Sequence, residues 1–174
     1  MANIALVSVL CQDRPGLIAA VTGRLYDIGA NLDDTTFAVL GGAAEFNAVC
    51  ELPDGVSLAS VEKELGQIKN LAGARISVTP FGYEPVHAEQ AHITHRIEIT
   101  GIDSPGLIAR LSEVFMQFGA NIVRLNSERL PGARDARYML RMAVYIPPEK
   151  ANTCLATVSN TAAQLALTCR SEKA

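Results

Sequence analysis

Apolar residues fall along this chain in two alternating rhythms. Residues 4–10 (Ile-Ala-Leu-Val-Ser-Val-Leu) are a short apolar, β-branched run, as a strand buried on at least one face requires. Leu17, Ile18, Val21, Leu25 and Ile28 then recur at helical spacing and predict a helix with one stripe on a core. After a turn at Gly41-Gly42, Phe46, Ala48, Cys50 and Leu52 alternate with Asn47, Val49 and Glu51, the period of a half-buried strand. Leu58, Val61, Leu65 and Ile68 mark a second helix, and residues 75–79 a closing strand. The rhythm then starts again. Residues 93–100 read as a strand, Leu107, Ile108, Leu111, Phe115 and Phe118 as a helix, and Pro131-Gly132 as a turn. Tyr138, Leu140, Met142, Val144 and Ile146 share a strand face, Leu155, Val158, Ala162 and Leu165 a helix stripe, and 165–170 a last strand.

The order is βαββαβ, twice. It predicts an α+β fold of two tandem ferredoxin-like units, each an antiparallel sheet with helices on one face. Residues 1–82 and 93–174 are the expected units, and the turn-rich 83–92 the linker. Identity supports the repeat directly. Aligning 13–31 with 103–121 gives nine matches in nineteen positions, among them Asp-x-Pro-Gly-Leu-Ile-Ala at the start and Gly-Ala-Asn at the end. The punctuation agrees. Pro15 and Pro105 suit a first helical position, Ser104 is a better N-cap than Arg14, and Gly29 and Gly119 are expected to stop the helices. Each unit is small enough to need cover on one face or edge, so the copies are expected to pack together.

Charge and composition then narrow the function. The net charge is −3, which gives no basic footprint for a nucleic acid. The arginine-bearing hairpin Arg124, Arg129, Arg134, Arg137 and Arg141 is interleaved with Glu128 and Asp135. It reads as a solvated hairpin or as a surface for an acidic partner. No apolar run approaches the ~20 residues of a membrane span, and the N-terminus lacks a basic leader. Cys11, Cys50, Cys154 and Cys169 show no C-x-x-C spacing and suit reduced, buried thiols in the cytoplasm. His87, His92 and His95 lack the partners of a metal site. No nucleophile triad, carboxylate pair or nucleotide fingerprint is present, so neither an enzyme nor a cofactor is expected.

Asp-x-Pro-Gly-Leu-Ile after a first strand, with Gly-Ala-Asn opening the second, resembles the ACT domain, a small regulatory amino-acid-binding module. The resemblance runs through both copies. A free-standing tandem pair is most similar to the glycine cleavage system transcriptional repressor group. It implies an amino-acid-sensing regulator of glycine or one-carbon metabolism that acts through a regulatory protein partner. Alternatives in the same family are a regulatory subunit of a metabolic enzyme and a non-catalytic remnant of a formyltetrahydrofolate deformylase. The resemblance also implies a small amino-acid effector, glycine among the candidates, a homo-oligomer, and no direct contact with nucleic acid or membrane. Effectors in the family bind near the first loop, where units lie side by side.

The residues of that loop fit a zwitterion. Gly16 and Gly106 let a ligand approach the backbone. The amides of Gly16, Leu17, Gly106 and Leu107 could meet a carboxylate at a helix start. Asp13 and Asp103 could meet an ammonium group, assisted by Asn31 and Asn121, although the same residues also serve as ordinary turn punctuation. Arg14, replaced by Ser104 in the second loop, makes the first loop the expected tighter site.

Overall fold

The computed structural model describes residues 3–84, 86–130 and 137–174. The Pro131-Gly132 turn, Arg134 and Asp135 lie outside the described residues. The chain divides into two compact units, residues 1–84 and 85–174. The first contains β1 (Asn3–Gln12), α1 (Leu17–Ile28), β2 (Asn31–Leu40), β3 (Ala43–Leu52), α2 (Leu58–Gly66) and β4 (Arg75–Pro80). The second contains β5 (His95–Ile102), α3 (Leu107–Phe118), β6 (Asn121–Leu130), β7 (Arg137–Tyr145), α4 (Ala151–Gln164) and β8 (Thr168–Lys173). Their strand orders are β2-β3-β1-β4 and β6-β7-β5-β8, antiparallel throughout. Both are βαββαβ ferredoxin-like units.

Each core lies between the sheet and its helices, as the period-2 and helical rhythms require. Ala5, Val7 and Val9 with Phe46, Ala48 and Cys50 bury one face of the first sheet under Leu17, Val21, Leu25, Val61 and Leu65. Ile97, Ile99, Leu140, Met142 and Val144 do the same under Leu111, Phe115, Cys154 and Val158. Gly29 and Gly119 end α1 and α3 in the left-handed region, at φ 84° and 67°. There the Gly29 and Ala30 amides reach back to the carbonyls of Tyr26 and Leu25.

The structure departs from expectation at several boundaries. Pro15 and Pro105 do not open the helices. Gly16 and Gly106 stand between them and the first helical residue, at φ 86° and 82°, and no side chain caps either start. Ser104 contributes its carbonyl instead of its hydroxyl, accepting from the Leu107 amide at 3.3 Å. Ile18 leaves the buried stripe of α1 and is 47% exposed. In α4 Cys154 takes the core position expected of Leu155, which is half-buried. The last strand begins at Thr168, not at 165. Leu165, Ala166 and Leu167 donate back to carbonyls of Ala162 and Ala163, with Ala166 left-handed at φ 56°, so they form the cap that ends α4 before the strand can begin. Finally, part of the expected linker is structured. Glu89–Ala91 forms a 3-10 turn beside β6 and β7.

Candidate functional site

In the first unit the chain leaves β1 at Gln12, beside the Gly41-Gly42 hairpin. The Asp13 amide donates to the Gly42 carbonyl at 3.0 Å, which pins the loop to the hairpin. Asp13, Pro15 and Gly16 are exposed, Arg14 is half-buried and Leu17 is buried. Gly16 is left-handed, so a side chain there would be strained regardless of space. These residues, with Ile18, Ala19 and Phe37, border an open groove of about 600 Å³. Asp13 and Arg14 are the charged part of its lining, and Leu17, Ile18, Ala19 and Phe37 the apolar part. Asp13 makes no ion pair among the described residues.

The second loop has the same backbone and different electrostatics. Arg129, on β6, reaches across to Asp103 at 2.8 Å. The repeat places Val39 where Arg129 stands, so nothing equivalent binds Asp13. Asp103 is therefore already occupied by a cation, whereas Asp13 is not.

The asparagines do not join the loops of their own units. Asn31 opens β2 opposite Glu51, which lies opposite Ile4. Asp13 follows the other end of β1. Nine residues of strand separate the two levels, on the order of 30 Å. Asn121 is likewise level with Tyr145, while Asp103 follows Ile102, which is level with Arg137. The expected pairing of Asp13 with Asn31, or of Asp103 with Asn121, around one ligand within one unit is thus corrected. Helix α1 or α3 carries the chain back along the sheet before the Gly-Ala-Asn turn. Asn121 has a partner of its own, donating through Nδ2 to the Gln90 carbonyl at 2.9 Å. Asn31 is exposed.

Three residues near the first loop were missed in the sequence. Asn70 places Nδ2 at 3.7 Å from where a Cβ on Gly16 would lie. Ile18 and Phe37 form the apolar wall. Only Ile18 carried a signal, as an apolar residue beside the helix stripe; Asn70 arrives through tertiary folding.

The remaining chemistry is quiet. Burial raises the Cys11 thiol above its ordinary pKa; Arg14 pulls it down and Asp13 pushes it up. Burial takes Cys50 to about 11 and also raises Cys154 and Cys169, so these are poor nucleophiles at neutral pH. Among the described residues no three His, Cys, Asp or Glu side chains gather as a metal site, and no helix is long and apolar enough to cross a membrane.

Residues 3–79, the first unit from its first strand to its last, match the family model of the ACT domain. Over this first unit the chain is similar to the ACT domain. The second unit repeats the strand order of the first. Glycine cleavage system transcriptional repressors of Escherichia coli (strain K12) and Shigella flexneri are each 24% identical over 147 residues, 80% of this chain and 72% of theirs. A crystal structure of an unknown protein from Galdieria sulphuraria matches at TM-score 0.77 and 23% identity, covering 100% of this chain and 99% of that one. The structural likeness shows a shared fold over the whole chain.

Proposed function

We propose that this chain is an amino-acid-sensing regulator, with the first loop as its principal ligand site, that controls its target through a protein partner. The observation that carries the reading is the first loop itself. An unpaired Asp13 and the adjacent Arg14 flank a left-handed glycine at a helix start, over an open groove. A zwitterion places its ammonium group on Asp13. Its carboxylate meets the Gly16 and Leu17 amides and the Arg14 guanidinium. Glycine is the first ligand to test, since the curated relatives are named for the glycine cleavage system. The second loop is the weaker site, because an ammonium group must compete with Arg129 for Asp103.

Asn31 is assigned to the site through a second chain. That chain's β2, laid antiparallel along this one with a two-fold axis near Thr35-Thr36, would bring its strand start to the loop end of the first. A ligand could then touch Asp13 of one chain and Asn31 of the other. A partner protein is the route to regulation because the chain carries a net charge of −3.

Calorimetric titration of the intact chain with glycine and other small amino acids tests the reading. Asp13→Ala and Asn31→Ala should each weaken binding by about 1–3 kcal/mol, with native melting retained. Asp103→Ala should change affinity little. Saturable binding left unchanged in both of the first two variants would assign these residues to turn architecture and sink the site.

A further inference from the structure

The sheet face turned away from the helices differs between the two units. In the second, Arg96, Arg124, Arg141 and Arg170 come from four different strands and meet across adjacent register rows. Arg96 and Arg124 both lie opposite Ala143, while Arg141 and Arg170 both lie opposite Glu98. With Asn126 they enclose a basin of about 540 Å³. Arg96 and Arg124 sit two strand spacings apart, about 10 Å, with only the Ala143 methyl between them. Arg141 is committed, bonded to Glu98 at 3.1 Å and to Glu128 at 3.0 Å. Arg96, Arg124 and Arg170 make no ion pair among the described residues, and all three are exposed. The internal repeat supplies a control. The matching positions of the first unit are Leu6, Asp34, Asn47 and Ser77, so none of the four arginines has a counterpart there.

We propose that this basin is a second, separate binding site, for a compact small molecule carrying at least two oxyanion groups. Guanidinium groups from opposite sides of a small floor residue suit paired phosphate or carboxylate groups, which they engage with two parallel N–H bonds each. A basin of this size holds a metabolite-sized ligand. The surrounding charge sets an upper limit on ligand length. Glu172 lies opposite Arg96 at one end of the row, and Glu128 stands one row beyond Asn126. An extended polyanion, such as an acidic peptide or a nucleic acid strand, would run from the arginines onto these carboxylates. Glu98 and Glu172 also line the basin, Glu98 held by Arg141, and a compact anion seated between Arg96 and Arg124 over Ala143 stays clear of Glu128. The site does not depend on the amino-acid loop, so the two can fail independently.

Calorimetric titration of the intact protein at low ionic strength, with inorganic tripolyphosphate and separately with citrate, tests the assignment. The expected result is saturable binding of at least one probe, and the tighter of the two tells whether phosphate or carboxylate is preferred. Arg96→Gln and Arg124→Gln should each weaken binding about tenfold, as the loss of a charge-assisted hydrogen-bonded partner predicts. Arg110→Gln, on the exposed side of α3, should leave it unchanged. Melting curves confirm that the variants fold. The proposal is overturned if neither probe binds, if Arg110→Gln weakens binding as much as Arg124→Gln, or if a ten-residue polyglutamate binds more tightly than both probes.

Discussion

Gly101 and Cys11 occupy equivalent positions in the two repeats, and the exchange is explained by what faces each. A Cβ on Gly101 would overlap Leu167 Cδ2 and approach the Leu167 Cα to 3.3 Å. In the first unit the residue at the level of Leu167 is Ala74, which leaves room for the buried Cys11 side chain. Large and small have changed places across one strand pair. Gly101→Ala should therefore destabilise the second unit by about 1–3 kcal/mol through overpacking, and Leu167→Ala in the same chain should cost less than it does alone. A urea-unfolding double-mutant cycle reads this coupling; simple additivity would contradict it. His95 offers a second test. It is buried, with Nδ1 2.9 Å from the Thr94 hydroxyl, whose one proton is donated to the Val144 carbonyl. Desolvation, then the Lys173 charge, lowers its pKa from the ordinary 6.5. The unfolded chain thus binds this proton more readily than the folded one. The stabilising contribution is complete above about pH 6.5 and is lost as pH falls toward the lowered folded value. Wild type should lose stability between about pH 7.5 and 5.5, and His95→Gln should lose less over that interval. Parallel pH profiles would show that His95 does not titrate differently on folding.

At the scale of elements, α1 and α3 are set by backbone conformation at both ends, without side-chain caps. The left-handed Gly16 and Gly106 turn the chain out of the sheet and into the helix, and Gly29 and Gly119 turn it back. A third glycine in α1 does neither. Gly23 is helical, exposed and has open space where a Cβ would go. Two substitutions of the same kind should thus have opposite signs. Gly16→Ala should destabilise by about 1–2 kcal/mol, the cost of a left-handed L-residue, and Gly23→Ala should stabilise by about 0.5–1 kcal/mol. Chemical denaturation of the two variants beside wild type gives both signs at once. Equal effects would mean that the loop relaxes freely and is not held in the shape the groove needs.

For the whole molecule, the open question is what covers the β2 edge. Phe37 and Val39 point toward the helical side of the sheet yet are 39% and 50% exposed, and Ile18 of α1 lies in the same groove region. An edge strand with this much apolar surface is a ready template for pairing. If a second chain lies along it, the β2 amides that face away from β3 should exchange slowly in the native protein. Phe37→Lys should accelerate them. Hydrogen exchange followed by mass spectrometry gives the answer, and sedimentation shows whether two chains associate. Fast exchange of those amides in the native protein would leave the edge bare and remove the basis for a shared ligand site.

The sequence alone determined the repeat, the βαββαβ order and most of each core, because these rest on local periodicity. Alternation in Phe46, Ala48 and Cys50, and helical spacing in Leu17, Val21 and Leu25, follow from side-chain direction within one element. The glycines that end the helices were legible for the same reason. What the tertiary structure decided depends on distance between elements. Asp13 and Asn31 sit at the two ends of one motif in the sequence, and α1 carries the chain back along the sheet between them, so the fold holds them apart. Asp103 and Arg129, twenty-six residues apart, are instead brought into contact by β6. The arginine basin was invisible for a related reason. The sequence grouped Arg124 with the other arginines of its hairpin, whereas strand register groups it with Arg96 and Arg170 from two other strands. Only the pairing of strands, set by hydrogen bonds across the sheet, could show which charges share a face.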